Sequence, residues 1–329
     1  MFRHPVGIQL FNRPEYAEKF LVSLSRQTLQ VDQIKLHIFV DGYAGSIYES
    51  RGSADKSAEV TQLAIEYFPK AKVVKFDKNL GIAASHVQLQ KLVFSNGSDW
   101  GAFFEEDVVL EPSYLEELST LIEIVDDCER IGKVACFQIL PPLSHLPRGH
   151  DGFYPGRGTK AFAERKTLFD KKLSMLESFV DILGKSDLEY FDTEKDSLRL
   201  AKLASRNSLG RLMPTMHHDI ATDLFLEFNN FLHVVSKPFL AKDIGVHGVH
   251  NSIVPKIDIP LATHTNDMSE NRNITFKNSI MLIEKESEDY ALISYMKIIN
   301  GYYISQSSKK MLKQILLNVF GRIRGILSF

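Results

Sequence analysis

Short apolar runs alternate with helix-patterned segments over residues 1–140, and no other feature restricts the fold of this 329-residue chain as tightly. Residues 6–11 read as a strand, after which Asn12 or Arg13 can cap a helix that Pro14 and Glu15 open. Ala17, Phe20, Leu21 and Leu24 follow at helical spacing. Further strands are predicted over 34–40, 72–76, 100–104 and 134–140, with helices over 59–68, from Ile82 through Val93, and over 112–131. Strands separated by helices of this length form βαβ units. The expected class is therefore α/β, with a mostly parallel sheet flanked by helices. In such sheets ligands bind beyond the carboxyl ends of the strands. Asn12, Asp41, Asn79 and the acids Glu105, Glu106 and Asp107 all fall immediately after predicted strands, which places them at one rim.

The acidic triplet carries the most chemistry. It ends the apolar run from Trp100 and is followed by Val108-Val109-Leu110-Glu111-Pro112. Adjacent carboxylates repel one another and stay ionised in a buried setting only with partners. A divalent cation with oxygen ligands meets that demand, and beside a strand end it serves a phosphate-bearing ligand. The triplet reads equally as a solvated turn whose acids favour the next helix's N-terminus. The glycine loops that usually cradle nucleotide phosphates, GxGxxG and GxxxxGK[ST], do not occur; nor do GxSxG or HExxH. Phosphate charge would then fall to the acids' metal.

The second half is less regular. Prolines at 141, 142 and 147 and the glycines between 149 and 158 suggest a long working loop. Residues 160–172 are basic enough to meet an acidic acceptor or to form a solvated face, and 168–212 read as helix in pieces. Residues 224–232 are apolar enough for helix and core, and 238–248 suggest a strand and turn returning towards the site. His247 and His250 lie in that turn, where His250 is a candidate metal or diphosphate ligand and surface exposure is the competing reading. His217 and His218 are weaker candidates because adjacent side chains diverge, and His86 reads as a core residue.

Bulk properties narrow the function further. A formal net charge of −2 gives no general case for nucleic-acid binding. Cys128 and Cys136 lack metal-ligand spacing and suit packing roles in a reducing compartment. No signal-peptide pattern opens the chain, and no run approaches the ~20 apolar residues of a membrane span, so the expected location is cytoplasmic. From Tyr290 onward there is no acidic residue. Met311, Leu312, Ile315, Leu316, Val319, Phe320 and Ile323 then form an apolar helical face beside Lys309, Lys310, Lys313, Arg322 and Arg324. Such a helix can lie peripherally on an anionic membrane surface at the inner face of the cell membrane, or dock on the domain or a second subunit.

Several of these segments together resemble a known family. The run Phe11-Asn12-Arg13-Pro14-Glu15-Tyr16, Asp41, Asn79-Leu80-Gly81 and Glu105-Glu106-Asp107 resemble the nucleotide-sugar site of GT-A fold (Rossmann-like) glycosyltransferases. The strand, acidic triplet, Pro112 and Tyr114 are similar to N-acetylglucosaminyltransferase I and its bacterial relatives. Residues 238–245 with Gly248-Val249-His250-Asn251 are similar to bacterial sugar transferases of polysaccharide assembly. The resemblance covers residues 6–252. It implies a nucleotide-sugar-binding half over 1–140 and an acceptor-side, catalytic-base half of the same domain over 141–260. A helical C-terminal extension would occupy 270–329.

Site roles follow from the same resemblance. Asp107 would hold Mn²⁺ or Mg²⁺ on the donor diphosphate, and Glu105 and Glu106 would hold ribose or bound waters. Asp41 would meet the base or ribose. Asn12, Arg13 and Asn79 would face the nucleotide, with Gly81 allowing close backbone approach. Glu105 stands where an aspartate is common. The catalytic base is expected at Asp223 or Asp219, four residues apart and on one face of a helix. The implied activity is metal-dependent, inverting transfer of a sugar from a nucleotide-diphosphate sugar to a glycan or lipid-linked acceptor in cell-envelope or capsular polysaccharide synthesis. The competing readings are a catalytically silent GT-A-like glycan-binding or scaffold domain and a sugar-phosphate nucleotidyltransferase. Against the latter, Phe11-Asn12-Arg13-Pro14 stands in place of a glycine- and arginine-rich first loop.

Overall fold

The computed structural model describes residues 2–44, 53–137, 153–155, 160–185, 231–236 and 239–245, together with Thr222, Phe225, Leu226 and Asn229. The amino-terminal alternation appears as expected. Strand β1 (Val6–Leu10) leads to helix α1 (Pro14–Ser25), β2 (Leu36–Val40) to α2 (Ala54–Tyr67), and β3 (Lys72–Lys75) to α3 (Ile82–Phe94). Strand β4 (Trp100–Glu105) is followed by a two-residue turn, the short strand β5 (Val108–Leu110), helix α4 (Tyr114–Val125) and β6 (Ile131–Ala135). Helix α2 begins earlier than its apolar pattern because the Ser53 hydroxyl accepts from the Lys56 amide and caps it. Helix α4 ends earlier, and β6 begins earlier. The Arg165 guanidinium donates to the carbonyls of Val125, Asp126 and Ile131 at 3.2, 3.0 and 3.2 Å, satisfying the helix's last acceptors.

The later strands are β7 (Phe153–Pro155), β8 (Ala161–Arg165), β9 (Leu232–Ser236) and β10 (Ala241–Asp243), and α5 (Lys166–Lys185) follows β8 directly. Eight strands form one sheet in the order β3-β2-β1-β4-β8-β6-β9-β7. Strands β3, β2, β1 and β4 run parallel, and β9 runs parallel to β6. β8 lies antiparallel between β4 and β6, and β7 is antiparallel to β9. This is the expected α/β class with a mostly parallel sheet. Residues 160–172 are not a solvated basic face: Lys160 and Lys172 are ion-paired, and Ala161, Phe162 and Ala163 are buried in the sheet. A separate antiparallel pair, β5 with β10, sets Asp243 opposite Val108.

Side-chain alternation sends Val6, Ile8 and Leu10 into the core shared with α1, α2 and α4. Phe39, Phe103 and Phe162 face the opposite layer, formed by α3 and α5. His86 packs there against Phe103 and Phe162, in keeping with its core reading. Cys128 and Cys136 are in no disulfide among the described residues, and the second is fully buried. Among the described residues no helix is long and apolar enough to cross a membrane. The predicted carboxy-terminal helix of 270–329 lies outside the described residues.

One buried group gives the fold an acid sensitivity. His37 in β2 is buried with neither ring nitrogen hydrogen-bonded among the described residues. Burial, with Lys35 and Lys72 nearby, lowers its pKa from 6.5 to about 4. The unfolded chain therefore takes up this proton near pH 6.5 while the folded chain resists it. Stability conferred by neutral His37 is present above pH 6.5 and is lost as the pH falls towards 4. Urea titrations between these pH values should show a shallower acid decline for His37→Phe than for the wild type.

Candidate donor-binding site

The carboxyl ends of the parallel strands gather the predicted residues into two clusters. Asp41 and Gly42 leave β2, and the segment from Lys78 to Gly81 leaves β3. One oxygen of the buried Asp41 carboxylate accepts from the Gly42 and Leu80 amides, each at 2.9 Å. Asn79 donates through Nδ2 to the Gly42 carbonyl at 2.7 Å and accepts from the Gly81 amide at 3.1 Å. The two loops are thus tied by side chains that neighbour the rim. Gly42 is required for their approach, since a Cβ there would stand 2.4 Å from the Lys78 carbonyl carbon. Gly42→Ala should cost about 1–3 kcal/mol through this overpacking, measured by urea denaturation. Gly81 has φ 77° and ψ 155°, a backbone that favours glycine, and it opens α3 with open space where a side chain would stand.

The second cluster surrounds the turn after β4. Glu106 is buried, with one oxygen accepting from the Phe11 amide at 2.7 Å and the other from Arg13 Nε. Arg13 is the residue before α1, yet its side chain reaches across to the acids instead of capping, and it stacks over Tyr16. Burial opposes the charge on Arg13, but Glu106 and Asp107 outweigh it and raise its pKa. Burial pushes the Glu106 carboxyl up, opposed by the Arg13 guanidinium and the Phe11 amide. Glu106 is therefore committed to joining β1 to the turn after β4. Asn12, next to Arg13 in sequence, is buried, and Glu105, half-buried at the end of β4, donates its amide to the Lys160 carbonyl at 2.8 Å.

Asp107 sits at the centre and is only 4% exposed. Its Oδ2 accepts from Lys160 Nζ at 2.9 Å and lies 3.4 Å from Arg13 Nη2. Its Oδ1 is buried without a hydrogen-bond partner among the described residues. Lys160 arrives because β8 is antiparallel to β4, so the residue before β8 lies at the rim where β4 ends. Its Nζ also contacts Asp243 Oδ1 at 3.2 Å, and that oxygen accepts the Gly245 amide at 2.9 Å. Burial works against the Lys160 charge, but Asp107, Glu105 and Asp243 raise its pKa to about 12. The β5–β10 ribbon delivers Asp243, and the Ile244 amide donates to the Asp107 carbonyl at 2.8 Å.

The sequence alone does not mark Lys160 or Asp243 as site residues. The run Lys242-Asp243-Ile244-Gly245 before the returning turn carried the only available signal, and nothing local marked Lys160. Asp219, Asp223 and His250 lie outside the described residues.

The cluster suits a hard cation in part. Among the described residues Glu105, Glu106, Asp107 and Asp243 outnumber Arg13 and Lys160, and one buried oxygen of Asp107 has no donor there. Among the described residues no group of three or more His, Cys, Asp or Glu side chains is arranged to hold a metal ion. Mg²⁺ commonly uses one or two carboxylates with water and substrate phosphates, and the Asp107 oxygen fits that mode.

No protein-family model and no curated protein matches the chain. Among solved structures, residues 1–349 of TarS from S. aureus in complex with UDP-GlcNAc are similar at 13% identity and a TM-score of 0.44, over 77% of this chain and 61% of that one. This chain thus spans less than two thirds of that structure. The mannosyltransferase PcManGT from Pyrobaculum calidifontis, in complex with GDP-Man and Mn²⁺, is similar at 13% identity and a TM-score of 0.38, over 69% of this chain and 70% of that one. Similarity at these values carries no functional conclusion, and the α/β class rests on the sheet itself.

Proposed function

We propose that the chain is a nucleotide-sugar-dependent glycosyltransferase whose donor diphosphate is bound at Asp107. The observation that carries this reading is the Asp107 carboxylate. It lies at the carboxyl rim of a mostly parallel sheet in an excess of acid, with one buried oxygen lacking a donor among the described residues. The two clusters sit at the ends of β2 and β4, with β1 between them, hence roughly 10 Å apart from strand spacing. That separation suits a nucleoside near Asp41, Asn79 and Gly81 and a diphosphate near Asp107. A bound Mn²⁺ or Mg²⁺ would supply Lewis-acid neutralisation of the leaving diphosphate. Asp107 would be its protein ligand, with His250 as a further candidate from the sequence.

In this reading Arg13 and Glu106 hold the turn that aims Asp107, while Asn12 and Glu105 border the nucleotide. Transfer is inverting, with Asp223 or Asp219 taking the proton from the acceptor hydroxyl as it attacks. The resemblance to N-acetylglucosaminyltransferase I and to polysaccharide-assembly enzymes favours a glycan or lipid-linked acceptor in envelope or capsule synthesis. The basic carboxy-terminal segment would hold the protein peripherally on the membrane. A thermal-shift screen of UDP- and GDP-linked sugars tests the donor site, because a bound ligand raises the melting temperature by mass action. A shift with at least one donor, larger with Mn²⁺, is expected. No shift with any of them, with or without metal, favours the catalytically silent domain.

A further inference from the structure

Lys160 stands where the acids would otherwise offer a cation site. Its ammonium bridges Asp107 Oδ2 and Asp243 Oδ1 at 2.9 and 3.2 Å, and its side chain is only 13% exposed. An ammonium held between two aspartates separates their charges and neutralises one of the two. The bridge is built from three separate parts of the chain: the turn after β4, the residue before β8 and the end of β10. The backbone closes on it as well, since a Cβ on Gly245 would lie 2.3 Å from Asp107 Oδ2. A divalent ion joining Asp107 and Asp243 would face the ammonium at contact distance. Like charges placed so close repel by several kcal/mol.

We propose that Lys160 is a built-in counter-ion that competes with a divalent cation for Asp107 and Asp243, with Asp243 as the second carboxylate of the metal site. The proposal rests on the metal-dependent reading of the donor site. It assigns Asp243 a ligand role and makes metal affinity a property set by Lys160. Lys160 must leave the pair when the ion enters, and its ammonium is then available to the phosphates of the donor.

Mn²⁺ binding to the full chain, read from the electron paramagnetic resonance signal of the free ion, tests this without any turnover. Lys160→Met should bind Mn²⁺ about tenfold or more tighter than the wild type. Adding Asp243→Asn to Lys160→Met should abolish that gain. Equal or weaker binding by Lys160→Met overturns the competition, and a gain that survives Asp243→Asn overturns the second ligand. Should the variants fail to fold, the wild-type chain serves. Acylation of Lys160 followed by mass spectrometry should rise with saturating Mg²⁺, and unchanged labelling contradicts the proposal. Mn²⁺ bound by neither chain also overturns it, while a donor-induced thermal shift without metal would leave the glycosyltransferase reading standing.

Discussion

Glu164→Gln is expected to destabilise the fold by about 3–5 kcal/mol, the cost of leaving a buried charge without its partner. Glu164 in β8 is fully buried and uses both carboxylate oxygens. One accepts from Gln90 Nε2 of α3 at 2.9 Å, the other from Lys172 Nζ of α5 at 2.5 Å. On the sheet, Glu164 lies opposite Lys133 of β6, whose ammonium stands 3.8 Å from the centre of the Phe162 ring. Lys133 lies in turn beside His233 of β9, where burial and that lysine lower the histidine's pKa well below its ordinary value. Glu164 is thus the carboxylate that pairs with the buried Lys172 between the sheet and its α3–α5 face. Chemical denaturation at neutral pH measures the loss. Combining Glu164→Gln with Lys172→Met should recover a large part of it, because the uncompensated ammonium goes too. If the single variant is as stable as the wild type, the ion pair does not hold this layer.

Asp107→Asn should weaken Mn²⁺-dependent donor binding by about 10²–10³-fold, since a phosphate-directed cation contributes several kcal/mol and each factor of ten is about 1.4 kcal/mol. The substitution keeps shape and one acceptor oxygen but removes the charge. Arg13 retains Glu106 and Lys160 retains Asp243, so the turn keeps its other ties. Stability should therefore change much less than affinity, and a calorimetric titration beside a thermal melt separates the two. Glu106→Gln is the informative contrast. Its effect should fall on the melt as well as on binding, because it leaves the half-buried Arg13 guanidinium without its nearest counter-charge. Equal donor affinity for Asp107→Asn and the wild type would remove Asp107 from the site.

The residues legible in the sequence are those whose role follows from local pattern. Strand–helix periodicity placed β1 to β4 and α1 to α3, and the strand ends placed Asp41, Asn79, Gly81 and the acidic triplet at one rim. Pattern could not rank the three acids. A two-residue turn sends Glu106 inward to Phe11 and Arg13 and sets Asp107 between Arg13 and Lys160, a distinction that adjacency hides. Lys160 and Asp243 come from segments far along the chain, joined to the rim by an antiparallel insertion and a two-stranded ribbon. No local periodicity reports such pairings, because they are set by which strand lies beside which. The charged run 160–172 misleads for a related reason. Glu164 and Lys172 are eight residues apart on different elements, and they pair with each other in the core.

Asp107 as the metal-dependent donor site is tested most directly by nucleoside diphosphate release by the full chain from a panel of UDP- and GDP-linked sugars, with Mn²⁺ and with chelator. Release from at least one donor, requiring Mn²⁺ and lost in Asp107→Asn, is expected. Release that persists undiminished in Asp107→Asn, or none from any donor with any metal, would contradict it.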